Sequence, residues 1–328
     1  MDTPRVLSIS SFSECMKRFL SRFGLWLFIL GLLAVIADVM ITRGLRTSGV
    51  RKYVVWNDIL KGGVDADVIV IGSSQAWCSY NTFVLDSMLN VNSYNLGMDG
   101  HTLPSQLLRY ETYRRFNAKP KVILLNVCFF GTFGLESDVQ YEREQFFPFL
   151  SDDTLIAKFA EMKHITWLDK HIPLYRYFGY RDDVEIGMKS FFGETDFIEG
   201  GFYKGYRGND WGWVGAAIEE DSIRVSVDKE TAGLLEHFIV ECEQDGVGLV
   251  FVKYPVCHTL LEKISDVEQS DSIFRSLSKK YSVPVLDYYS SEITNDSTYY
   301  YNYTHLNKKG AERFTIMLCR DMDSLGVY

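Results

Sequence analysis

Two short stretches, far apart in the sequence, carry residue types that can perform nucleophilic chemistry together. The apolar run Val68 to Ile71 is followed by Gly72, Ser73 and Ser74, and His305 lies just before the last amphipathic segment. A serine hydroxyl becomes a nucleophile when a histidine accepts its proton, and free N–H groups at a helix N-terminus favour the developing negative charge. If both stretches follow strands of one sheet, the serine and the histidine can form such a pair.

Taken separately, each stretch has a simpler interpretation. Serine is among the preferred residues at a helix N-cap, so Ser73 or Ser74 could merely begin a helix. A single histidine is most often structural. The hypothesis of a serine–histidine pair therefore depends on the elements that would bring the two stretches together.

Four apolar runs have the length and β-branched content of buried strands, and two segments between them have the pattern of helices. This alternation predicts an α/β fold with a central parallel sheet and helices on both faces. Such sheets bind ligands at the carboxyl ends of their strands, where the serines lie. The strand runs are residues 65–71, 122–127, 247–252 and 283–286, and the helical segments are residues 104–116 and 229–244.

The N-terminal region contains a long apolar segment. Residues 23–41 are apolar apart from Asp38, and their number is close to the ~20 residues that cross a bilayer as a helix. Trp26, near one end, suits a membrane interface. We predict one transmembrane helix at 23–41, preceded by a cytoplasmic segment at 1–22. A cleaved signal peptide is the alternative, since residues 35–37 (Val-Ile-Ala) could serve as a cleavage site.

The remaining chain is predicted to form a connector at 42–64 and one domain at 65–328. Residues 140–227 interrupt the strand–helix rhythm and are predicted to be an insertion. Its last part, residues 200–215, is rich in glycine and aromatic residues, which could stack on sugar rings in an active-site lid or could pin a long loop to the domain. The aromatic residues are Tyr203, Tyr206, Trp211 and Trp213.

Composition excludes several functions. The formal net charge of -9 argues against a nucleic-acid partner, because binding to a phosphate backbone depends on clustered Lys and Arg. The six cysteines include no CxxC pair, so we expect buried free thiols and no metal site. No phosphate-binding GxxxxGK[ST] motif occurs, and no cofactor is expected.

Three blocks resemble those of the SGNH (GDSL-like) hydrolase superfamily: Gly-Ser-Ser at 72–74, NLGMDGHT at 95–102 and HLNKKG at 305–310. The resemblance covers roughly residues 65–135 and 235–325. It is strongest to the membrane-anchored branch, which includes alginate acetyltransferases and the D-alanyl transfer protein of teichoic acids. The resemblance implies a flavodoxin-like three-layer sandwich around a central parallel sheet.

The resemblance also implies roles for individual residues. Ser74 would be the nucleophile, with Ser73 in the place of the family's aspartate, and His305 would be the general base. The N–H groups of Ser74 and Gly100 would form the oxyanion hole. The family has a further oxyanion donor, an asparagine after the second core strand, and Asn126 is the candidate here although it lies earlier than usual.

The chain departs from the family at the residue three positions before the histidine, where Asn302 replaces an aspartate. A neutral amide can leave the histidine in the wrong tautomer; the corresponding change in a serine protease lowers the rate about 10⁴-fold. Three possibilities follow: a weak dyad, a different acid that orients His305, or loss of catalysis. Asp287 and Asp296 are the candidate acids.

The resemblance therefore implies a membrane-anchored serine acyl-ester hydrolase or O-acyltransferase, with its domain outside the cytoplasm. Its substrate would be an acylated glycan of the cell envelope or another ester, and a membrane protein that donates acyl groups would be a possible partner. Four Lys or Arg residues flank the apolar segment on each side, so the charges do not indicate its orientation. The location outside the cytoplasm therefore follows from the resemblance alone.

Asn302 supports an alternative function. The protein would then be a weak or inactive SGNH-like protein that binds a glycan or a membrane partner during polysaccharide assembly.

Overall fold

The computed structural model describes most of the chain, with gaps mainly between residues 129 and 228. The described residues are 9–128, 132–133, 142–151, 158, 161, 163–194, 202–215, 223–224, 229–265 and 267–326. The α-helices are α1 (Ile9–Leu45), α2 (Arg51–Lys61), α3 (Ser74–Ser79), α4 (Thr82–Leu89), α5 (Leu103–Phe116), α6 (Trp167–His171), α7 (Arg181–Phe191), α8 (Lys229–Asp245), α9 (His258–Leu261), α10 (Val267–Tyr281) and α11 (Lys308–Leu325). The strands are β1 (Val68–Ile71), β2 (Ser93–Asn95), β3 (Val122–Val127), β4 (Phe202–Tyr203), β5 (Tyr206–Arg207), β6 (Ile223–Arg224), β7 (Gly248–Lys253), β8 (Ile264–Ser265), β9 (Val285–Asp287), β10 (Tyr300–Asn302) and β11 (His305–Leu306).

A five-stranded parallel sheet forms the centre of the molecule, in the order β2-β1-β3-β7-β9. Numbered along the chain within this sheet, the order is 2-1-3-4-5, which is the flavodoxin-like arrangement. The predicted α/β fold is confirmed, and each of the four predicted apolar runs overlaps a strand. The remaining strand, β2, was not predicted because its three residues, Ser-Tyr-Asn, form no apolar run.

Alternation along the strands divides the core into two layers. Ile69 and Ile71 of β1 pack with the cluster that includes α2, α5, α8 and α10. Val68 and Val70 point to the opposite face, where α3, α4 and α11 cover them. Successive strand residues face opposite sides of a sheet, so one short apolar strand contributes to both layers.

Helix α1 is longer than the predicted span of residues 23–41. Ser13–Leu45 is long and apolar enough to cross a membrane by length and composition. Large apolar side chains are exposed along α1 as far as Val39, whereas Ile41 and Leu45 are buried. The C-terminal end of α1 therefore belongs to the folded domain.

The predicted connector at 42–64 contains α2, and buried Tyr53 and Trp56 of this helix join a third apolar cluster. The same cluster includes the end of α1 and parts of the predicted insertion. Close helix packing at this point depends on Gly44, because an added Cβ would lie 1.7 Å from the carbonyl oxygen of Gly187 in α7. Within the described residues, the insertion contributes α6, α7 and short strands outside the central sheet.

Candidate active site

The turn after β1 places Ser74 at the start of α3. Ser73 occupies the N-cap position, but its side chain makes no capping hydrogen bond. An added Cβ on Gly72 would lie 2.6 Å from Ala76 Cβ and 2.7 Å from Asn126 Cβ, so the turn has room only for glycine. Ser74 is half-buried, and its backbone N–H lies in the first turn of α3, where N–H groups have no partner within the helix.

His305 lies at the start of β11, which pairs antiparallel with β10. Its Nε2 is 2.7 Å from Ser74 Oγ, although 231 positions separate the two residues in the sequence. Two neighbours fix the backbone around the histidine. Leu306 N donates to the hydroxyl of Tyr254 at 2.7 Å, and the Asn307 side chain caps α11 by accepting from Gly310 N at 3.0 Å.

Asn302 orients the other nitrogen of the imidazole. Its Oδ1 is 3.0 Å from His305 Nδ1 and accepts from the backbone N–H groups of Thr304 at 3.0 Å and His305 at 2.9 Å. Two backbone donors require an acceptor at this position, which assigns the atom as the amide oxygen. Nδ1 therefore carries the proton, and Nε2 has a free lone pair directed at the Ser74 hydroxyl.

Thr304 adds a second acceptor for the same proton. Its hydroxyl donates to Asn302 Oδ1 at 3.1 Å, and its oxygen lies 2.7 Å from His305 Nδ1. The Nδ1–H group thus faces two neutral oxygens. These contacts set the tautomer that a general base needs, but they supply no negative charge to stabilise the protonated imidazole.

Neither Asp287 nor Asp296 orients His305. Asp287 Oδ2 accepts from Lys253 Nζ at 2.8 Å, and the Asp296 side chain caps a 3₁₀ turn by accepting from Thr298 N. Burial lowers the pKa of His305 to about 4, and the negative charge of Asp99 opposes this shift. His305 is therefore neutral, and able to accept a proton, across the physiological range.

The segment that carries Gly100 passes beside the serine turn. Met98 N donates to the carbonyl oxygen of Gly72 at 2.9 Å, and Arg109 Nη1 donates to the carbonyl oxygen of Gly97 at 3.1 Å. Gly100 has a φ of 66° in the turn closed by the hydrogen bond from His101 N to Met98 O. A positive φ favours glycine at such a position. The oxyanion role of the Gly100 N–H stays a prediction.

Asn126 lies at the end of β3, behind the serine turn, and its amide contacts two neighbours. Its Oδ1 accepts from the Tyr80 hydroxyl at 2.8 Å, and its Nδ2 donates to Gln75 Oε1 at 3.4 Å. Gln75 in turn donates through Nε2 to the carbonyl oxygen of Thr304 at 3.2 Å. Asn126 is thus linked through Gln75 to the histidine turn, and its oxyanion role also stays a prediction.

The aromatic segment predicted as a lid or a pinned loop approaches the histidine. Tyr301 stacks on His305 with ring centroids 5.3 Å apart, and Trp211 contacts Tyr301 edge-on at 5.8 Å. Val214 N donates to the carbonyl oxygen of Tyr301 at 2.7 Å. The segment is therefore attached to β10, while the Trp211 side chain is still 64% exposed and available for stacking.

Cysteine chemistry does not compete with Ser74 at this site. All six cysteines lie in the described part of the chain and are free. Cys78 of α3 is buried, and burial raises the pKa of its thiol to about 12. A thiol with such a pKa is not an effective nucleophile at neutral pH.

Sequence reasoning missed three residues of the site: Gln75, Tyr301 and Thr304. All three directly adjoin a predicted catalytic residue: Gln75 follows Ser74, Tyr301 precedes Asn302 and Thr304 precedes His305. That adjacency was the available signal. Their roles depend on contacts across the fold or around one turn, which residue type alone does not specify.

Comparison with known proteins gives limited similarity. No protein-family model matches the sequence, and no curated protein matches it. Among solved structures, the chain is similar to a protein from Bacteroides fragilis described as a candidate acylhydrolase. The TM-score is 0.38 and the sequence identity 12%, over 79% of this chain and 86% of the other.

Proposed function

We propose that the protein is an SGNH-type serine acyl-ester hydrolase or O-acyltransferase. The observation that carries this proposal is the 2.7 Å contact between Ser74 Oγ and His305 Nε2, with Nδ1–H of the same ring facing Asn302 and Thr304. A serine, a base and a group that orients the base form the arrangement of nucleophilic acyl transfer.

In the proposed reaction, Ser74 Oγ attacks the ester carbonyl carbon while His305 Nε2 takes the hydroxyl proton. The tetrahedral intermediate collapses when the C–O bond to the leaving alcohol breaks and His305 returns the proton to that alcohol. Water or a sugar hydroxyl then attacks the acyl-serine, again with His305 as the base; the bond between the acyl carbon and Ser74 Oγ breaks, and His305 returns the proton to Ser74. The N–H groups of Ser74 and Gly100, with Asn126 nearby, are the proposed donors to the oxyanion.

We further propose that α1 anchors the enzyme in a membrane, with the domain outside the cytoplasm, and that the substrate is an acylated cell-envelope glycan. The length and apolar surface of α1 support the anchor. Trp211 and Tyr301, next to the base, support a sugar substrate because aromatic faces stack on sugar rings. An acyl-donor membrane protein is the partner expected if the reaction is transfer.

Asn302 favours a second candidate, a binding protein that has lost catalysis. A neutral amide cannot compensate the positive charge that His305 gains in the first step, and burial already disfavours that charge. In this case the cleft would hold a glycan without cleaving an ester.

A serine-reactive fluorophosphonate probe distinguishes the two candidates. We expect the full-length protein in detergent to be labelled, Ser74→Ala to lose labelling and Ser73→Ala to keep it. The full chain is used because Ile41 and Leu45 of α1 are part of the core. Absence of labelling in the folded wild type would favour the binding protein.

A further inference from the structure

One turn of the insertion packs against a defined part of α1, near the C-terminal end of the helix. Leu174 N donates to Asp38 Oδ1 at 3.0 Å, and Arg176 forms an ion pair with the same carboxylate. The hydroxyls of Tyr177 and Thr42 are 2.8 Å apart. Residues 174–177 therefore lie beside residues 38–42 of α1.

This contact lies at the C-terminal end of the apolar segment of α1. The apolar run ends at Ile41, and at 1.5 Å per residue Asp38 lies about 4.5 Å inside that end. If α1 spans a bilayer, the turn beside Asp38 lies at the boundary between the hydrocarbon and the headgroups. The ion pair with Arg176 and the hydrogen bond from Leu174 N also explain how an aspartate is tolerated in the apolar segment.

The same part of the insertion exposes apolar and aromatic side chains. Phe178 is 87% exposed, more than any other large apolar side chain in the described residues, and Trp167 is 64% exposed. Trp and Tyr are enriched where membrane proteins meet the interface, because an apolar ring with a polar group suits the headgroup region. The exposed members of this surface, named here the interfacial rim, are Trp167, Leu168, Ile172, Tyr175 and Phe178.

We propose that the interfacial rim is a second membrane contact, inserted into the headgroup region of the leaflet from which α1 emerges. The partner is the lipid bilayer itself. A single helix would let the domain tilt freely, whereas two contacts on one side hold it in one orientation over the membrane. This inference rests on the proposed membrane anchoring by α1, but it does not require the proposed catalytic activity.

The test measures the depth of single spin labels in the full chain. In a Cys15→Ser background, the described cysteines that remain are buried, so an added cysteine is the accessible thiol. Labels are placed at Phe178→Cys, at Leu30→Cys in the apolar segment and at Phe83→Cys, an exposed aromatic position on α4. The protein is reconstituted in phosphatidylcholine–phosphatidylglycerol vesicles, and the accessibility of each label to oxygen and to a water-soluble nickel chelate is compared.

We expect the ratio of oxygen to nickel accessibility at Phe178 to be several-fold higher than at Phe83, and highest at Leu30. A label at Phe178 that matches Phe83, while Leu30 reports lipid, would overturn the interfacial rim and leave the anchor intact. A water-like result at Leu30 would overturn the anchor and the rim together. Fluorophosphonate labelling of the same samples tests the catalytic proposal separately.

Discussion

Replacement of Asn302 by aspartate should increase activity. The carboxylate would occupy a position that already receives two backbone N–H groups, the Thr304 hydroxyl and His305 Nδ1–H. Because these donors stabilise an ionised carboxylate, Asn302→Asp should place a negative charge beside the imidazole without other rearrangement. That charge would stabilise the imidazolium that forms when Ser74 attacks.

The geometry sets the size of the effect. Two unit charges about 4 Å apart interact by roughly 4 kcal/mol at an effective dielectric constant of ~20, which corresponds to about three pKa units. The pKa of His305 should rise from about 4 towards the neutral range. The upper limit of the rate gain is about 10⁴-fold, the loss that the opposite change causes in a serine protease. We expect a gain of about 10²-fold, because desolvation of the new carboxylate offsets part of the attraction.

The assay is the pH dependence of kcat/KM for a chromogenic aryl ester. The neutral imidazole is the base, so the rate falls as the pH drops below the pKa of His305. The wild type should lose activity only near pH 4, whereas Asn302→Asp should have a higher plateau and lose activity at a higher pH. Asn81→Asp is the matched control, because it makes the same amide-to-acid change at the N-cap of α4, where the side chain accepts from Phe83 N and Val84 N and aspartate is equally suitable.

The reasoning would be refuted by a folded Asn302→Asp protein whose plateau and acid limb both match the wild type. That result would mean that the imidazole gains no positive charge in the rate-limiting step. A rise in plateau in the Asn81→Asp control would instead indicate a general effect of added negative charge.

Three further substitutions test the rest of the site and its support. Thr304→Val should lower kcat/KM about tenfold, since one acceptor of His305 Nδ1–H is worth up to ~1.5 kcal/mol; an unchanged rate would assign the orienting role to Asn302 alone. Phe314→Ala should lower the free energy of unfolding by about 3–5 kcal/mol in urea titrations, because it removes a fully buried ring from the core. Gly97→Ala should lower kcat by about 10²-fold, because its Cβ would lie 2.5 Å from a backbone nitrogen of α3; Gly233→Ala, which has open space around it, should leave kcat unchanged.

The sequence was sufficient to predict those elements of the fold that are fully buried. Strands β1 and β3 are buried on both faces, so β1 is a continuous apolar run and β3 is apolar except at Asn126. Strand β2 is short and polar, and its pairing with β1 depends on the sheet that is already present. The position along α1 at which the helix joins the domain was also not predictable. The contacts of Asp38 come from residues more than 130 positions away in the sequence.

The acid candidates show why residue type alone could not identify the group that orients His305. Asp287 ends β9, which is three strands from β1 in the sheet. Strands are about 4.8 Å apart, so the carboxylate of β9 starts about 14 Å from the serine turn. Asn302, in contrast, shares a tight hairpin with His305, and this local pairing decides which side chain reaches Nδ1.

Direct contacts between α3 and the C-terminal region hold Ser74 and His305 at a fixed separation. The Phe314 ring of α11 lies edge-on to Tyr80, just after α3, and to Tyr254, just after β7, with centroids 5.1 and 5.6 Å away. The Tyr254 hydroxyl accepts from Ser79 Oγ of α3 and from Leu306 N, next to His305. One buried tyrosine thus touches both the helix that carries Ser74 and the strand that carries His305. The separation of the two side chains is therefore set by the packed core beneath them.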